Sequence, residues 1–477
     1  MSSSLLDTYS VQDEAKKLLW EGILHNPLHK FLPDGIEEAA RHISFSGLRF
    51  PFIPVNWRYA ESVSALKAFQ GAMLNVLLKK KYGAAYQAIH IDTNHAQLFI
   101  MSCFHPLCVI DPEGEKISTR LGGPQAGYER YFPNCNIHHI MEATTPFIDA
   151  ATTNIYKLGD GKYYHVHGSM NAAPSQKVLG IDKTQHPTIS SFKEACDIIE
   201  ASTLKHTANE LDQLMNETHR QAGTICHSIS EYHETPHGKA NAHVGLYEIH
   251  QHLSPSQGPS WWPNSIPNHT DSPTRPLLGL KILDLTRMVA SPTITRELAE
   301  LGASVLRITS PHVTDLSSLH LDLGWGKWNA HFHMSSMSVT LSSIFSSLSA
   351  HPPPSTLIQV AISYYNQWFV NSCGTYPPEI WDDLWSRYDY FVFHSSDNMG
   401  ITIPACLQWL REKKTPMFDE KYFEVRENAA LGIGVKTIKP VLNFVEGGVE
   451  VGYNVGSRPN GMDAPKWPAN LLTEVVV

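Results

Sequence analysis

His165 and His167 are one residue apart in Tyr163-Tyr164-His165-Val166-His167-Gly168. On a strand they face the same side, a spacing that can chelate a metal. No carboxylate or third histidine follows at ligand spacing, and 26 histidines make such pairs frequent by chance. No metal is therefore assigned. The pair reads either as hydrogen-bonding groups in a pocket, with Asn171 just beyond, or as structural histidines satisfied within the fold. His331 and His333 pose the same choice. The segment Thr286 to Pro292 offers different chemistry. Ala290 and Ser291 are small enough for a ligand to approach the backbone, and Pro292 suits a helix start, where its missing N–H costs nothing. No Gly-x-Ser-x-Gly elbow and no phosphate loop ending in Gly-Lys-Ser/Thr occurs.

Several elements must position these residues. Leu280 to Leu285 (LKILDL) reads as a strand, Thr293 to Leu301 as a helix, and Ser304 to Ile308 as a second strand. Gly302 supplies the left-handed residue that ends the helix. This order is a βαβ unit with a parallel pair, and a ligand crevice is expected beyond the carboxyl ends of its strands. Upstream, Asp13 to Leu24 reads as an amphipathic helix. Ala60 to Lys80 reads as a longer helix, apolar nearly all round and so expected to be buried. Gln87 to Asp92 alternates like a strand. Asn154 to Leu158 and Lys162 to Val166 flank Gly159-Asp160-Gly161 as a hairpin. Leu204 to Thr218 reads as a helix. Trp325, Trp328, Tyr364, Tyr365, Trp368, Phe369, Trp381 and Trp385 either line an apolar cavity or form ordinary core.

The 477 residues suggest two to three domains. Six prolines between Pro255 and Pro276 mark a linker, with Trp261 and Trp262 expected to pin it down. The expected division is 1–250, a linker at 251–275, and 276–477. The run from His331 to Pro354 is rich in serine and short of charge, and reads as a weak helix or a poorly ordered loop. A net charge of −9 and no basic run beyond Lys79-Lys80-Lys81 argue against a nucleic-acid partner. No apolar run approaches the roughly 20 residues of a membrane span. The first residues lack the features of a signal peptide, so the expected location is cytoplasmic. Seven scattered cysteines argue for reduced thiols rather than a disulfide framework or structural zinc. Asn216-Glu-Thr and Asn268-His-Thr fit a glycosylation pattern that means nothing without a secretory route.

The run from Pro276 to His312, PLLGLKILDLTRMVASPTITRELAELGASVLRITSPH, resembles the opening of the class III (CaiB/BaiF) CoA-transferases. That pattern is a proline, a Leu-x-Gly turn, a strand ending Asp-Leu-Thr-Arg, a small-residue turn, a helix and Leu-Gly-Ala. Gly452 to Pro468 resembles the C-terminal segment of a fungal branch built from two family-like halves. Ile53 to Gly83 resembles the part that carries the catalytic aspartate at the start of a long helix, and Asp160 to Gly180 a later hairpin. The resemblance implies an α/β class III CoA-transferase-like fold with Rossmann-like βαβ units. It also implies two halves packed as a pseudo-dimer, in a chain that is a monomer or a homodimer. By the same resemblance, Arg287, Met288, Val289 and Ala290 would line the crevice for the CoA nucleotide.

One departure matters for function. Two-half relatives carry more than a hundred residues after the region near Trp325 to Asn329, including the nucleophilic aspartate. Here that stretch is absent, with the deletion placed near 331–356. In the first half, Glu61 stands where the family's aspartate would fall, with Arg58 one turn before it. Glu61 is either a carboxylate nucleophile or base, or a helix-start charge interacting with the dipole. A carboxylate one methylene longer is rarely placed for covalent attack.

The resemblance, together with the missing nucleophile stretch, implies a repurposed enzyme of fungal secondary metabolism. It would bind an apolar, terpenoid-like small molecule and catalyse an isomerisation or cyclisation without a cofactor, an intramolecular Diels–Alder reaction being one such step. The alternatives are an active CoA-transferase or acyl-CoA racemase using Glu61, with CoA bound only in that case, and a non-catalytic pseudoenzyme. The candidate catalytic residues are Glu61, Arg58 and His167. The candidate ligand-binding residues are Trp57, Asn171, Arg287, Met288, Val289, Ala290 and Trp328.

Overall fold

The computed structural model describes residues 5–102, 108–118, 130–133, 146–182, 188–251, 261–262, 272–316, 319–332, 356–388, 393–394 and 396–477. The chain divides into two compact units. The first comprises Met1–Cys135, His243–Arg387 and Lys414–Val477. The second comprises Asn136–Ala242 and Tyr388–Lys413. The first unit thus takes chain from both sides of the proline-rich stretch. Most of 251–275, and all of 333–350, lie outside the described residues.

The fold is mixed α/β, with several small sheets. In the first unit, strand Lys281–Asp284 pairs in parallel with Ser304–Thr309, which pairs in parallel with Lys327–His331. Helix Ala290–Glu300 connects the first two strands, so the strand–helix–strand unit expected over 280–308 is present. The helix starts three residues before Thr293. Pro292 falls in its first turn, where the backbone N–H has no intrahelical partner in any case. Gly302 ends it at φ +107°, a conformation that a side chain resists. The loop after this helix is tied back by Leu277 N–H donating to the Leu301 carbonyl.

The long helix runs Tyr59–Tyr82, one residue earlier and two later than expected, and Gly83 closes it at φ +68°. Ala65, Ala68, Ala72, Leu74, Val76 and Leu78 are buried in the main core. That core also contains Leu277, Leu301 and Ala303, so the helix packs on the βαβ unit. The 13–24 helix forms as Val11–Lys17 continued by a wider turn at Leu18–Leu24. Strand Ile89–Asp92 pairs in parallel with Ile43–Ser46. Trp262 anchors its segment by donating its indole N–H to the Leu278 carbonyl at 2.9 Å, whereas Trp261 is exposed.

In the second unit the hairpin forms as Asn154–Lys157 and Tyr163–Val166, with Gly223–Ile225 as a third strand. Its core is Ile148, Tyr156, Tyr164, Val166, Ile199, Leu211 and Met215. The helix expected over 204–218 differs. A helix at Phe192–Thr203 precedes it, and the next starts only at Ala208. Thr207 and Glu210 form a reciprocal capping box there, which satisfies two orphan N–H groups and sets a new start.

Asp284, at the end of its strand, organises the βαβ unit. Its carboxylate accepts from the Lys327 ammonium at 3.0 Å and the Thr295 hydroxyl at 2.7 Å. It also accepts from the Thr286 N–H at 2.9 Å and the Thr286 hydroxyl at 2.5 Å. Four elements are thereby joined: its own strand, the turn, the helix and the third strand. Lys327 also donates to the Pro292 carbonyl at 2.8 Å. Both charged side chains are essentially sealed from solvent. Burial alone would raise the Asp284 carboxyl, but Lys327 and the two threonines hold it below its ordinary value. Burial pushes Lys327 down to about 8, against the pull of Asp284.

Removing one partner of such a pair leaves a buried charge uncompensated. Asp284→Asn is expected to cost about 3–5 kcal/mol in chemical denaturation. Adding Lys327→Met to that variant should recover much of the loss. A double variant no more stable than the single one would mean that the pair is not what holds the turn.

Candidate functional site

Glu61 lies on the first turn of the long helix with no solvent exposure. Its carboxylate accepts from the Tyr9 hydroxyl and, at 3.1 Å, from the Tyr376 hydroxyl. Burial pushes its carboxyl above the ordinary range, and nearby Arg58 opposes that only in part. Arg58 is committed elsewhere. It donates to Glu14 at 2.5 Å and to the Cys373 carbonyl at 3.2 Å. Trp57 packs beside them, its ring 5.5 Å from that of Phe369. Glu61, Arg58 and Trp57 thus share one neighbourhood. It is a packed interior in which both carboxylate oxygens are occupied, and no face of Glu61 meets solvent.

Arg287 to Val289 lie in the turn after Asp284, and Ala290 begins the helix. Met288 holds φ +70°, a conformation that costs a non-glycine residue about 1–2 kcal/mol. The Asp284–Thr286 contacts and the Arg287 bond to the Thr314 carbonyl at 2.9 Å fix the chain before it, and the Thr293 N–H and hydroxyl, both donating to the Val289 carbonyl, fix it after. Beyond the carboxyl ends of the parallel strands lies a crevice of about 270 Å³, the place where open α/β sheets bind ligands. Thr286, Arg287, Arg307, Ser310 and Asp315 are among its lining residues. Arg307, at its floor, donates to Asp315 at 2.7 Å and to Asn460 at 3.0 Å. Arg287 reaches the crevice, whereas Met288, Val289 and Ala290 are not among its lining. Trp328 faces away into core, packed with Leu278, Leu306, Ala330, Val455 and Leu471.

His167 and Asn171 belong to the second unit. His167 Nδ1 accepts from the Ser169 N–H at 2.9 Å, and its ring lies 5.7 Å from that of His165. The Asn171 side chain caps the following turn by accepting from the Ala173 N–H at 3.1 Å. Both therefore have local structural partners. Among the described residues no group of three His, Cys, Asp or Glu side chains is placed to hold a metal.

A larger cavity, of about 520 Å³, lies in the first unit between helices. Val63, Leu66, Lys67 and Gln70 form one wall and Thr293, Ile294, Glu297 and Leu298 another, with Phe99 and Tyr365 completing it. Each wall is one face of one helix, since residues three and four apart stack on the same side. The lining is mostly apolar, and its charged side chains form an ion pair. Lys67 bonds to Glu297, and donates to Gln70 at 3.2 Å. Its ammonium lies 4.2 Å from the centre of the Phe99 ring. Arg296 holds Glu297 from behind at 3.2 Å and Asp322 at 2.6 Å. Burial would raise the Glu297 carboxyl, but Lys67 and Arg296 hold it below its ordinary value.

Sequence reasoning missed this cavity. Its signal was Lys67 and Gln70, polar residues three apart on a helix otherwise apolar nearly all round. Their partner Glu297 lies 230 residues away, beyond any local pattern.

Glu300 sits one turn beyond Arg296. It is buried and accepts from the Tyr453 hydroxyl at 3.1 Å, while its Oε1 has no hydrogen-bond partner among the described residues. Burial, reinforced by the charge of Glu297, pushes its carboxyl up to about 7. A carboxyl raised on folding binds more protons in the native than in the unfolded state. Its ionisation therefore costs stability as pH rises from the unfolded value through about 7. Glu300→Gln should be more stable than the parent at pH 8, by about 1–2 kcal/mol, and gain little at pH 5. Thermal melts at the two pH values test this. An equal gain at both would show that Glu300 is not the group that titrates.

Comparison with known proteins places this geometry in a family. Residues 277–338, which contain the βαβ unit and the crevice turn, match the model of CoA-transferase family III. The chain is 35% identical to "Acetyl-coenzyme A transferase nodX" of Hypoxylon pulicicidum, over all of this chain and 96% of that protein. That alignment covers 582 positions against 477 residues here, so at least 105 positions have no counterpart in this chain. It is also 28% identical to an "Acyl-CoA transferase" of Gibberella moniliformis, over 57% of this chain and 45% of that one. Among the described residues no helix is long and apolar enough to cross a membrane. The chain belongs to CoA-transferase family III.

Proposed function

We propose that this protein is a repurposed family member that binds an apolar, terpenoid-like molecule in the 520 Å³ cavity and converts it to an isomer without covalent catalysis or a cofactor. The single observation that carries this reading is the contrast between two sites. The carboxylate at the nucleophile position, Glu61, is sealed between Tyr9 and Tyr376. The apolar cavity on the same helix has the volume of a small-molecule site. The shortfall of at least 105 positions against the Hypoxylon relative supports it further.

The reaction class follows from what such a cavity offers. Two rigid helix faces can hold a flexible polyene folded, with its reacting carbons together. That contribution to rate needs no nucleophile and is realised wherever the bound shape approaches the transition state. An intramolecular Diels–Alder reaction has this requirement. By family membership and the missing stretch, the chain resembles the norbornene-forming Diels–Alderase of the sordarin diterpenoid pathway.

A second reading has its own support, in the crevice. Arg287 and Ser310 offer a guanidinium and a hydroxyl beyond the strand ends, groups suited to the phosphates of CoA. On that reading the protein still transfers or racemises acyl-CoA, and Glu61 must become accessible.

Deleting the gene from its source and complementing it with variants separates the two. Loss of the protein should cause an uncyclised isomer, equal in mass to the final product, to accumulate. Glu61→Gln should restore the product and Leu66→Trp, which fills the cavity, should not, with folding of both checked by thermal melts. If folded Glu61→Gln fails to restore it, and hydroxylamine traps an acyl group on the parent incubated with acyl-CoA, the transferase reading replaces this one.

A further inference from the structure

The cavity also carries information about its ligand, and the following rests on the cavity being the substrate site. We infer that it selects an apolar molecule bearing one uncharged carbonyl group, an aldehyde, ketone or ester, whose oxygen accepts a hydrogen bond from Lys67. Three features point there: the position of Lys67, the charge balance behind it, and the nature of the walls.

An ammonium has three N–H donors. Glu297 and Gln70 account for two of them, on the cavity side of the helix. Lys67 is only 5% exposed and lies against Phe99. It thus borders a largely apolar space, and once a ligand covers it a hydrogen bond to an acceptor there is stronger than in water. Thr293 and Tyr365 are the other polar side chains of the lining outside the Lys67–Gln70–Glu297 group. A ligand with many polar groups would therefore leave most of them unpaired.

The charge balance decides between a neutral acceptor and an anion. Two cations, Lys67 and Arg296, face Glu297 and Asp322. Glu300, on the same helix, is a third acid with an unpartnered oxygen. Every cation of the group is already matched. A ligand carboxylate would add a buried negative charge beside Glu297 with nothing to offset it. A carbonyl oxygen accepts the Lys67 hydrogen bond and adds no charge. In a cyclisation that consumes an alkene conjugated to this carbonyl, the same hydrogen bond would draw electron density from the alkene and hasten the addition.

A matched pair of fluorescent probes tests this on the intact chain. 6-Propionyl-2-(dimethylamino)naphthalene is a neutral ketone whose emission reports hydrogen bonding to its carbonyl, and 6-(dimethylamino)-2-naphthoate has the same ring with a carboxylate. The parent protein should bind the ketone at least ~10-fold more tightly than the naphthoate. Lys67→Met should weaken ketone binding by roughly 10-fold, the order expected for a charge-assisted hydrogen bond, and shift the bound emission to the blue. Glu297→Gln removes the opposing charge and should strengthen naphthoate binding instead. This second variant keeps the test decisive should Lys67→Met fail to fold.

Ketone affinity and emission unchanged in folded Lys67→Met, or a naphthoate bound as tightly as the ketone by the parent, would overturn the inference. If neither probe binds, or if Leu66→Trp binds both unchanged, the cavity is no ligand site and the proposed function falls with it. If the probes behave as expected but gene deletion yields no isomer, the carbonyl selectivity stands and only the catalytic reading fails.

Discussion

The buried contact between Asp284 and Lys327 is the constraint on which the opening of the βαβ unit depends. A carboxylate at the last position of a parallel strand points toward the place where the chain leaves the sheet. Here it gathers the turn through Thr286, the helix through Thr295 and the neighbouring strand through Lys327. The turn must be held because it contains Met288 in the left-handed region, which no local preference would maintain. With the turn fixed, the direction of helix Ala290–Glu300 is fixed. That helix carries Thr293, Ile294, Glu297 and Leu298, one wall of the larger cavity. The crevice and the cavity lie at opposite ends of one chain of consequences that begins at Asp284.

The long helix divides two fates for charge. At its start, Glu61 is enclosed by tyrosine hydroxyls and its carboxyl is raised by burial. Two turns on, Lys67 is paired with Glu297 at the edge of an apolar space. A buried carboxylate that accepts hydrogen bonds on both oxygens contributes to packing and, as packed here, offers no free face to an electrophile. A buried ammonium with a donor to spare can still be offered a ligand. The capacity for polar chemistry on this helix thus resides at Lys67 rather than at Glu61.

Local sequence patterns revealed the elements and concealed their meeting points. The strand LKILDL, the helix after Pro292 and Gly302 were legible because each obeys a rule a few residues long. The start at Ala208 was not, because Leu204 continues the helical spacing of Ala208, Leu211 and Met215 and so masked the Thr207–Glu210 capping box. Arg287 was legible as a crevice residue because the turn after a parallel strand has a known outlook. Its neighbours Met288 to Ala290 carry no such guarantee, since consecutive residues in a turn point in different directions. Trp328 illustrates the other limit. Its aromatic character fits a cavity or a core equally well, and only the packing of Leu278, Val455 and Leu471 around it decides.

The pairing of Lys67 with Glu297 joins residues 230 positions apart, and its function depends on what lies behind it. An isolated Lys–Glu pair would admit an anion by exchanging one carboxylate for another. Arg296 prevents a simple exchange, because it holds Glu297 in place from the far side while itself bound to Asp322. Glu297 therefore stays, and its charge stays with it. Any ligand must be accommodated beside an anion that cannot leave, and it displaces the water that would otherwise screen that charge. Under that condition an uncharged acceptor is favoured over a charged one by electrostatics alone, before shape is considered. The selectivity of the cavity is thus set by Arg296, a residue that does not line it.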